Sequence, residues 1–137
     1  MPEQTVRNYY AALRAGDPLA PFFVERDDVL KVGISERLVG YDAVSAGLHE
    51  QTERTADWTV ESRELRVRER GPVAWFSDAV DLAWTDTQRG VRFAFDTRWS
   101  GTLERHDGGN RDTDERAAQS ADDWRFAGMH VSAPRQF

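Results

Sequence analysis

The sequence predicts an α+β domain: a cone-shaped, strongly curved antiparallel β-sheet wrapped around three N-terminal helices, in the order α-α-β-α-β-β-β-β. Three observations carry this expectation. Up to Arg54, apolar residues recur at three- and four-residue spacing, the signature of one-sided helices. From Asp57 onward the period changes to two, as in half-buried strands. Short turn-forming strings separate the alternating stretches, so consecutive strands join tightly and run antiparallel.

Each element has its own signal. Val6, Tyr9, Tyr10 and Leu13 form an apolar stripe on a helix from Glu3 to Ala15, and Gly16 suits the position just past its end. Asp17 caps and Pro18 starts a short second helix that runs to Phe22 or Phe23. Val29 to Ile34 reads as a short strand, with Leu38-Val39 as a second piece of it. A third helix, Tyr41 to Arg54, puts Tyr41, Val44 and Leu48 on one side. Trp58 to Arg70 is a strand turned by Gly71-Pro72, and Val73 to Thr85 is the next. The turn Asp86 to Gly90 leads to a long strand, Val91 to His106, and Asp123 to Ser132 is the last. Between these two, 107–122 holds no apolar residue larger than Ala and is expected to be a mobile hairpin loop. Helices held inside such a sheet leave a blind conical cavity.

Composition bounds the function. A chain of 137 residues is one domain, 1–137, and 15 aromatics give it a core. No apolar run approaches the ~20 residues of a membrane span. The N-terminus shows no basic segment followed by an apolar one, so a cytoplasmic protein is expected. The absence of Cys excludes disulfides, thiolate metal sites and a Cys nucleophile. The net charge of −6 argues against nucleic acid as a partner. Seventeen of the 18 basic residues are Arg, and Lys31 is the one Lys. Adaptation to high salt and a GC-rich genome both account for that bias.

Three strings carry a family resemblance: Tyr9-Tyr10-Ala-Ala-Leu-Arg-Ala-Gly16-Asp17, then Thr97-Arg98-Trp99-Ser100-Gly101-Thr102-Leu103-Glu104-Arg105, and Trp124-Arg125-Phe126-Ala127-Gly128-Met129-His130-Val131-Ser132. With the order of elements, they resemble the SnoaL-like branch of the nuclear transport factor 2-like, or ketosteroid isomerase-like, superfamily. The last two strings are also similar to the association domain of calcium/calmodulin-dependent protein kinase II. Against the isomerases, Tyr9 matches their first-helix Tyr and Asp96 their late-strand Asp, but their base position falls on Gly33, which accepts no proton. Steroid isomerisation is therefore not expected. Against the kinase association domains, Arg98 matches one pocket Arg, while Val131 and Ser77 stand where the other two would be.

The expected ligand site follows from placing the mixed face of the long strand inside the cone. It comprises Arg98, Asp96, Asp81, Tyr9, Trp75 and Ser77, with Ala127, Met129 and Val131 as apolar wall. Arg98 would bind a carboxylate or carbonyl. Asp81, Asp96 and Tyr9 are the candidates for acid or base work. Phe93, Phe95, Trp99 and His130 then point outward and need the cover of a homodimer interface. The opposite face assignment puts Phe93, Phe95 and Trp99 in the cavity and Arg98 on the surface. His49 and Glu53 have a metal-capable spacing without a third ligand, and no metal or cofactor is expected. Arg63, Arg66, Arg68 and Arg70, interleaved with Glu, read as a charged ladder guarding an edge. The residues do not assemble a complete acid/base set. The expected function is therefore binding of a small, partly apolar molecule bearing a carboxylate or carbonyl. The alternatives are an isomerase, cyclase or dehydratase moving a proton next to a carbonyl, and an assembly domain with no ligand.

Overall fold

The computed structural model describes residues 1–106 and 123–135; the expected loop 107–122 lies outside the described residues. Helix α1 covers Pro2–Ala15 and α2 covers Tyr41–Arg54. Seven strands follow in chain order: β1 Leu30–Gly33, β2 Glu36–Val39, β3 Thr55–Ser62, β4 Arg66–Arg70, β5 Val73–Asp86, β6 Val91–Arg105 and β7 Trp124–Ser132. The α+β class is as expected, with two corrections. The short second helix is a single 3-10 turn, Ala20–Phe22, so the described residues hold two α-helices and not three. The sheet has seven strands in the order β2-β1-β7-β6-β5-β3, with β4 also on β5, and it is mixed.

The mixing comes from β1, which pairs antiparallel with β2 but parallel with β7. A parallel pair needs a long crossover, and here the whole run from β2 to β6 supplies it. The expected single strand from Trp58 to Arg70 is two strands, both paired with β5. Its break has a visible cause. The Glu64 N–H turns to donate to Asp78 Oδ1 at 2.9 Å, and Arg63 N–H donates to Ala79 O at 2.8 Å.

Helix α1 ends as its sequence indicates. Gly16 adopts φ 75°, and the N–H groups of Gly16 and Asp17 close on Leu13 O and Ala12 O. Its apolar stripe is fully used: Val6, Tyr9, Tyr10 and Leu13 are all buried. Arg14 ties its last turn to the sheet through a 2.8 Å bond to Val60 O.

Strands β5 and β6 pair antiparallel from Val73↔Glu104 to Asp86↔Val91 and form the spine of the sheet. Ala74, Phe76, Asp78, Val80 and Leu82 face inward from β5, and Thr97, Trp99 and Leu103 from β6. Two irregularities curve the sheet. One lies in β3 around Asp57, which takes φ 55°. The other lies where β7 carries an extra residue, Ala127, opposite the Thr102/Leu103 step of β6.

One inward residue on the spine is an acid. Asp78 is buried and accepts three hydrogen bonds: Tyr10 Oη at 2.8 Å, Ser62 Oγ at 2.6 Å and the Glu64 N–H. It joins α1, β3 and the β3–β4 break to β5. Replacing Asp78 with Ala leaves three donors without an acceptor, which costs about 3 kcal/mol in total. Urea unfolding of Asp78→Ala is expected to show that loss; a loss below ~1 kcal/mol would mean that the three bonds are not holding these elements.

Candidate functional site

The open end of the cone holds a cavity of about 150 Å³. Its wall is aromatic and aliphatic: Trp58, Trp84 and Trp99 with Leu13, Leu82, Met129 and Val131. Trp58 and Trp84 stack at 4.9 Å, and Trp84 continues to Phe93 and Phe95 at 5.6 Å each. Two of the three indole N–H groups are taken by threonine hydroxyls. Trp58 Nε1 donates to Thr55 Oγ1 at 2.8 Å, and Trp99 Nε1 to Thr97 Oγ1 at 3.0 Å. An engineered cavity of about 150 Å³ takes benzene, while drug-sized ligands occupy about 300–1,000 Å³. The space therefore holds about one ring, and a larger ligand would extend out through its open mouth.

Ser35, Gln51 and Thr55 add polar groups to this wall, and three further polar side chains, Lys31, Glu36 and Tyr9, interrupt it. Lys31 projects from the inner row of β1, is 5% exposed, and forms an ion pair with Glu36 of β2. The hairpin brings them together: Gly33 pairs with Glu36, and Lys31 lies two residues before Gly33 on the same face. A Cβ at position 33 would stand 2.9 Å from Glu36 Oε2. The Glu36 carboxylate thus occupies the space that a side chain at residue 33 would need. Tyr9 is the third polar group. It is 2% exposed and wedged edge-on among Phe22, Phe23, Trp99 and Phe126. Burial, and then the Glu36 carboxylate, push its pKa far above the usual phenol value, so Tyr9 is a neutral O–H donor. That hydroxyl has no hydrogen-bond partner among the described residues. Buried polar groups are seldom left so, and an unpartnered donor on a cavity wall points to a ligand or water.

The structure places the expected site residues on two faces. Tyr9, Met129 and Val131 line the cavity. Ala127, the extra residue in β7, packs half-buried against the core and is not part of the cavity wall. Arg98, Asp96, Asp81, Trp75 and Ser77 are on the outer face, so their expected cavity position is corrected. Trp75 is 47% exposed. Ser77, Arg98 and His130 share an open outer groove. The reason is the ordinary one-sided burial of an antiparallel sheet, apolar side in and polar side out. A shift of one residue exchanges the faces.

The same reversal moves the expected interface. Phe93, Phe95 and Trp99 face the concave side, with Trp99 4% exposed in the core, and only His130 points outward. Phe93 and Phe95 are half-buried there. Nor does Arg98 hold Asp81 and Asp96. Those two are cross-strand neighbours, and Arg63 bridges them at 3.5 and 2.6 Å, which offsets the repulsion of like charges placed directly opposite. Arg98 lies opposite Ala79 and Ser132. Of the arginine ladder, Arg66, Arg68 and Arg70 are on β4, while Arg63 sits in the break before it. His49 Nε2 and Glu53 Oε2 lie 3.1 Å apart on the exposed side of α2.

The sequence reading missed Lys31 and Glu36. The available signal was the one Lys among 18 basic residues, set in an alternating run where Val29 and Lys31 share a face. The acidic partner five residues on needed the hairpin register to be seen.

The comparisons fit this geometry. Residues 3–111 match the sequence profile of the SnoaL-like domain, and the chain belongs to that family. A search of curated proteins found no significant match. Three solved structures illustrate the shared fold. A ketosteroid isomerase-like protein from Erwinia carotovora atroseptica superposes with a TM-score of 0.71 at 17% identity, covering 98% of this chain and 94% of that one. A "putative dehydratase" of the nuclear transport factor 2-like family from Streptomyces avermitilis gives 0.77 at 14% identity, with 98% and 94% covered. A "putative calcium/calmodulin-dependent protein kinase type II association domain" from Thiobacillus denitrificans gives 0.69 at 17%, with 98% and 96% covered. At these identities the likeness shows the nuclear transport factor 2-like fold. No helix of the described residues is long and apolar enough to cross a membrane.

An exposed side chain with no described partner contributes little to stability. Arg98→Ala is therefore expected to change unfolding free energy by no more than ~0.5 kcal/mol. A loss above ~2 kcal/mol in urea titration would show that Arg98 is an internal strut after all.

Proposed function

We propose that this SnoaL-like domain binds a small, single-ring molecule through a carbonyl oxygen in the cone. The observation that carries the reading is the unpartnered Tyr9 hydroxyl on the same cavity wall as buried Lys31 and its part-exposed partner Glu36. The ammonium of Lys31 has three N–H donors, and Glu36 engages one. Tyr9 O–H and a second Lys31 N–H supply two donors for one ligand oxygen. The indole faces of Trp58, Trp84 and Trp99 supply a flat apolar surface for a ring.

Electrostatics separates the two ligand chemistries suggested by the sequence. The Lys31 charge is already matched by Glu36, so the site is close to neutral. A carboxylate ligand would sit beside the Glu36 carboxylate, and like charges in a partly dry site repel strongly. A neutral carbonyl meets the same donors without that repulsion. The carbonyl class is therefore favoured over the carboxylate class.

A second reading is supported by the position of Glu36. It fills the volume in front of Gly33, so a carboxylate stands where residue 33 itself offers none. Glu36 would then take a proton next to a carbonyl whose oxygen is held by Tyr9, which gives the isomerase, cyclase or dehydratase alternative a base. The name of the Streptomyces avermitilis neighbour is compatible with that class.

Binding is tested by calorimetry with benzamide and benzoate. Benzamide is expected to bind more tightly than benzoate, and Lys31→Met and Tyr9→Phe to weaken it about tenfold each, one donor apiece. Arg98→Ala should leave it unchanged. Equal or tighter binding of benzoate, or insensitivity to both cavity variants, would contradict the reading.

A further inference from the structure

We propose that Lys31 is a nucleophilic amine that captures small aldehydes and ketones in the cone as imines. The inference deepens the carbonyl-binding reading and rests on it. Four observations converge. Lys31 carries the one ε-amine of the chain, and it is 5% exposed. It lines the same cavity as Tyr9 and Met129. Its amine is hydrogen-bonded to a carboxylate, Glu36, which can take its proton. The Tyr9 hydroxyl, with no partner of its own, is available to the oxygen of the carbonyl under attack.

A lysine serves only structure more often than chemistry, so the placement has to be unusual to carry weight. Most lysines keep their ammonium in water and bury only the stem. Lys31 does the reverse: its charged end lies in an aromatic cavity and is held by one carboxylate. A purely structural pair at this position could be replaced by two apolar side chains at little or no cost. Lysines that form imines are typically desolvated amines in apolar pockets, with a group at hand to move the proton.

The chemistry balances without an oxidant or reductant. Glu36 takes a proton from the Lys31 ammonium and leaves a free amine. The nitrogen lone pair forms the C–N bond to the carbonyl carbon, and the C=O π pair moves to oxygen, steadied by Tyr9 O–H. A proton passes from nitrogen to that oxygen to give the carbinolamine. Glu36 then returns its proton to the carbinolamine hydroxyl, water leaves, and the nitrogen lone pair closes the C=N bond. The net change is ammonium plus carbonyl to iminium plus water, with Glu36 again a carboxylate. The cavity holds about one ring, so the substrate class is small aromatic or short-chain aldehydes and ketones.

The test is reductive trapping of the folded protein with benzaldehyde and cyanoborohydride, read by intact mass and peptide mapping. A terminal α-amine also forms imines, and mapping separates it. The expected result is a single benzyl adduct on Lys31, formed at least ~10²-fold faster in the folded protein than in urea, and slowed about as much by Glu36→Gln. The comparison with urea needs no variant, so it stands even should Glu36→Gln fail to fold. Adducts on a terminal α-amine alone in a protein that binds benzamide would overturn the imine and leave the binding reading intact. No adduct on Lys31 and no benzamide binding would overturn both.

Discussion

Everything in this fold follows from one commitment: which face of the β5–β6 pair stays dry. The two strands pair along the full length of β5, so every inward residue on one is fixed against an inward residue on the other. Phe76, Val80 and Leu82 on β5 and Trp99 and Leu103 on β6 are buried on one side. That side must be covered, and α1 supplies the cover with Tyr9 and Tyr10. The acid Asp78 is admitted to the dry face because α1 and the β3–β4 break bring three donors to it. Once α1 is locked there, the far end of the sheet is left uncovered, and that gap is the cavity.

The cavity's polarity has a separate origin, the β1–β2 hairpin. Burying a lone ammonium or carboxylate is costly, so charges of this kind come in pairs. The hairpin register makes the pair unavoidable, because Gly33 opposite Glu36 leaves room for the carboxylate to fold inward toward Lys31. The site is then a nearly neutral dipole inside an aromatic wall. Such a site is better suited to polarising a neutral oxygen than to holding an anion.

The sequence made most of the fold legible and about half of the site. Helix α2 coincides with its expected span, Tyr41–Arg54, and α1 begins one residue before its expected start, because caps and apolar stripes are local signals. The split of Trp58 to Arg70 was not legible, since it depends on Asp78 drawing in the Glu64 N–H from across the sheet. The parallel β1–β7 contact joins strands far apart in sequence and leaves no local mark. At the site, Tyr9, Met129 and Val131 were readable from periodicity. Arg98, Asp96 and Asp81 alternate with the apolar residues of β5 and β6 and take the outer face, because the polar side of a half-buried strand meets water. Lys31 was visible as a compositional oddity, but its partner Glu36 is a product of register, and register cannot be read from one strand alone.

The central claim is that Lys31, on the concave face, is the cation that meets the ligand. Because the chain has one lysine, selective labelling with ¹³Cε,¹⁵Nζ-lysine gives a single side-chain resonance pair. Titrating that sample with benzamide is the most direct measurement. The geometry predicts that the Lys31 pair shifts and saturates with the same dissociation constant as the cavity tryptophans Trp58, Trp84 and Trp99. Saturable binding that leaves the Lys31 resonances unmoved would contradict it.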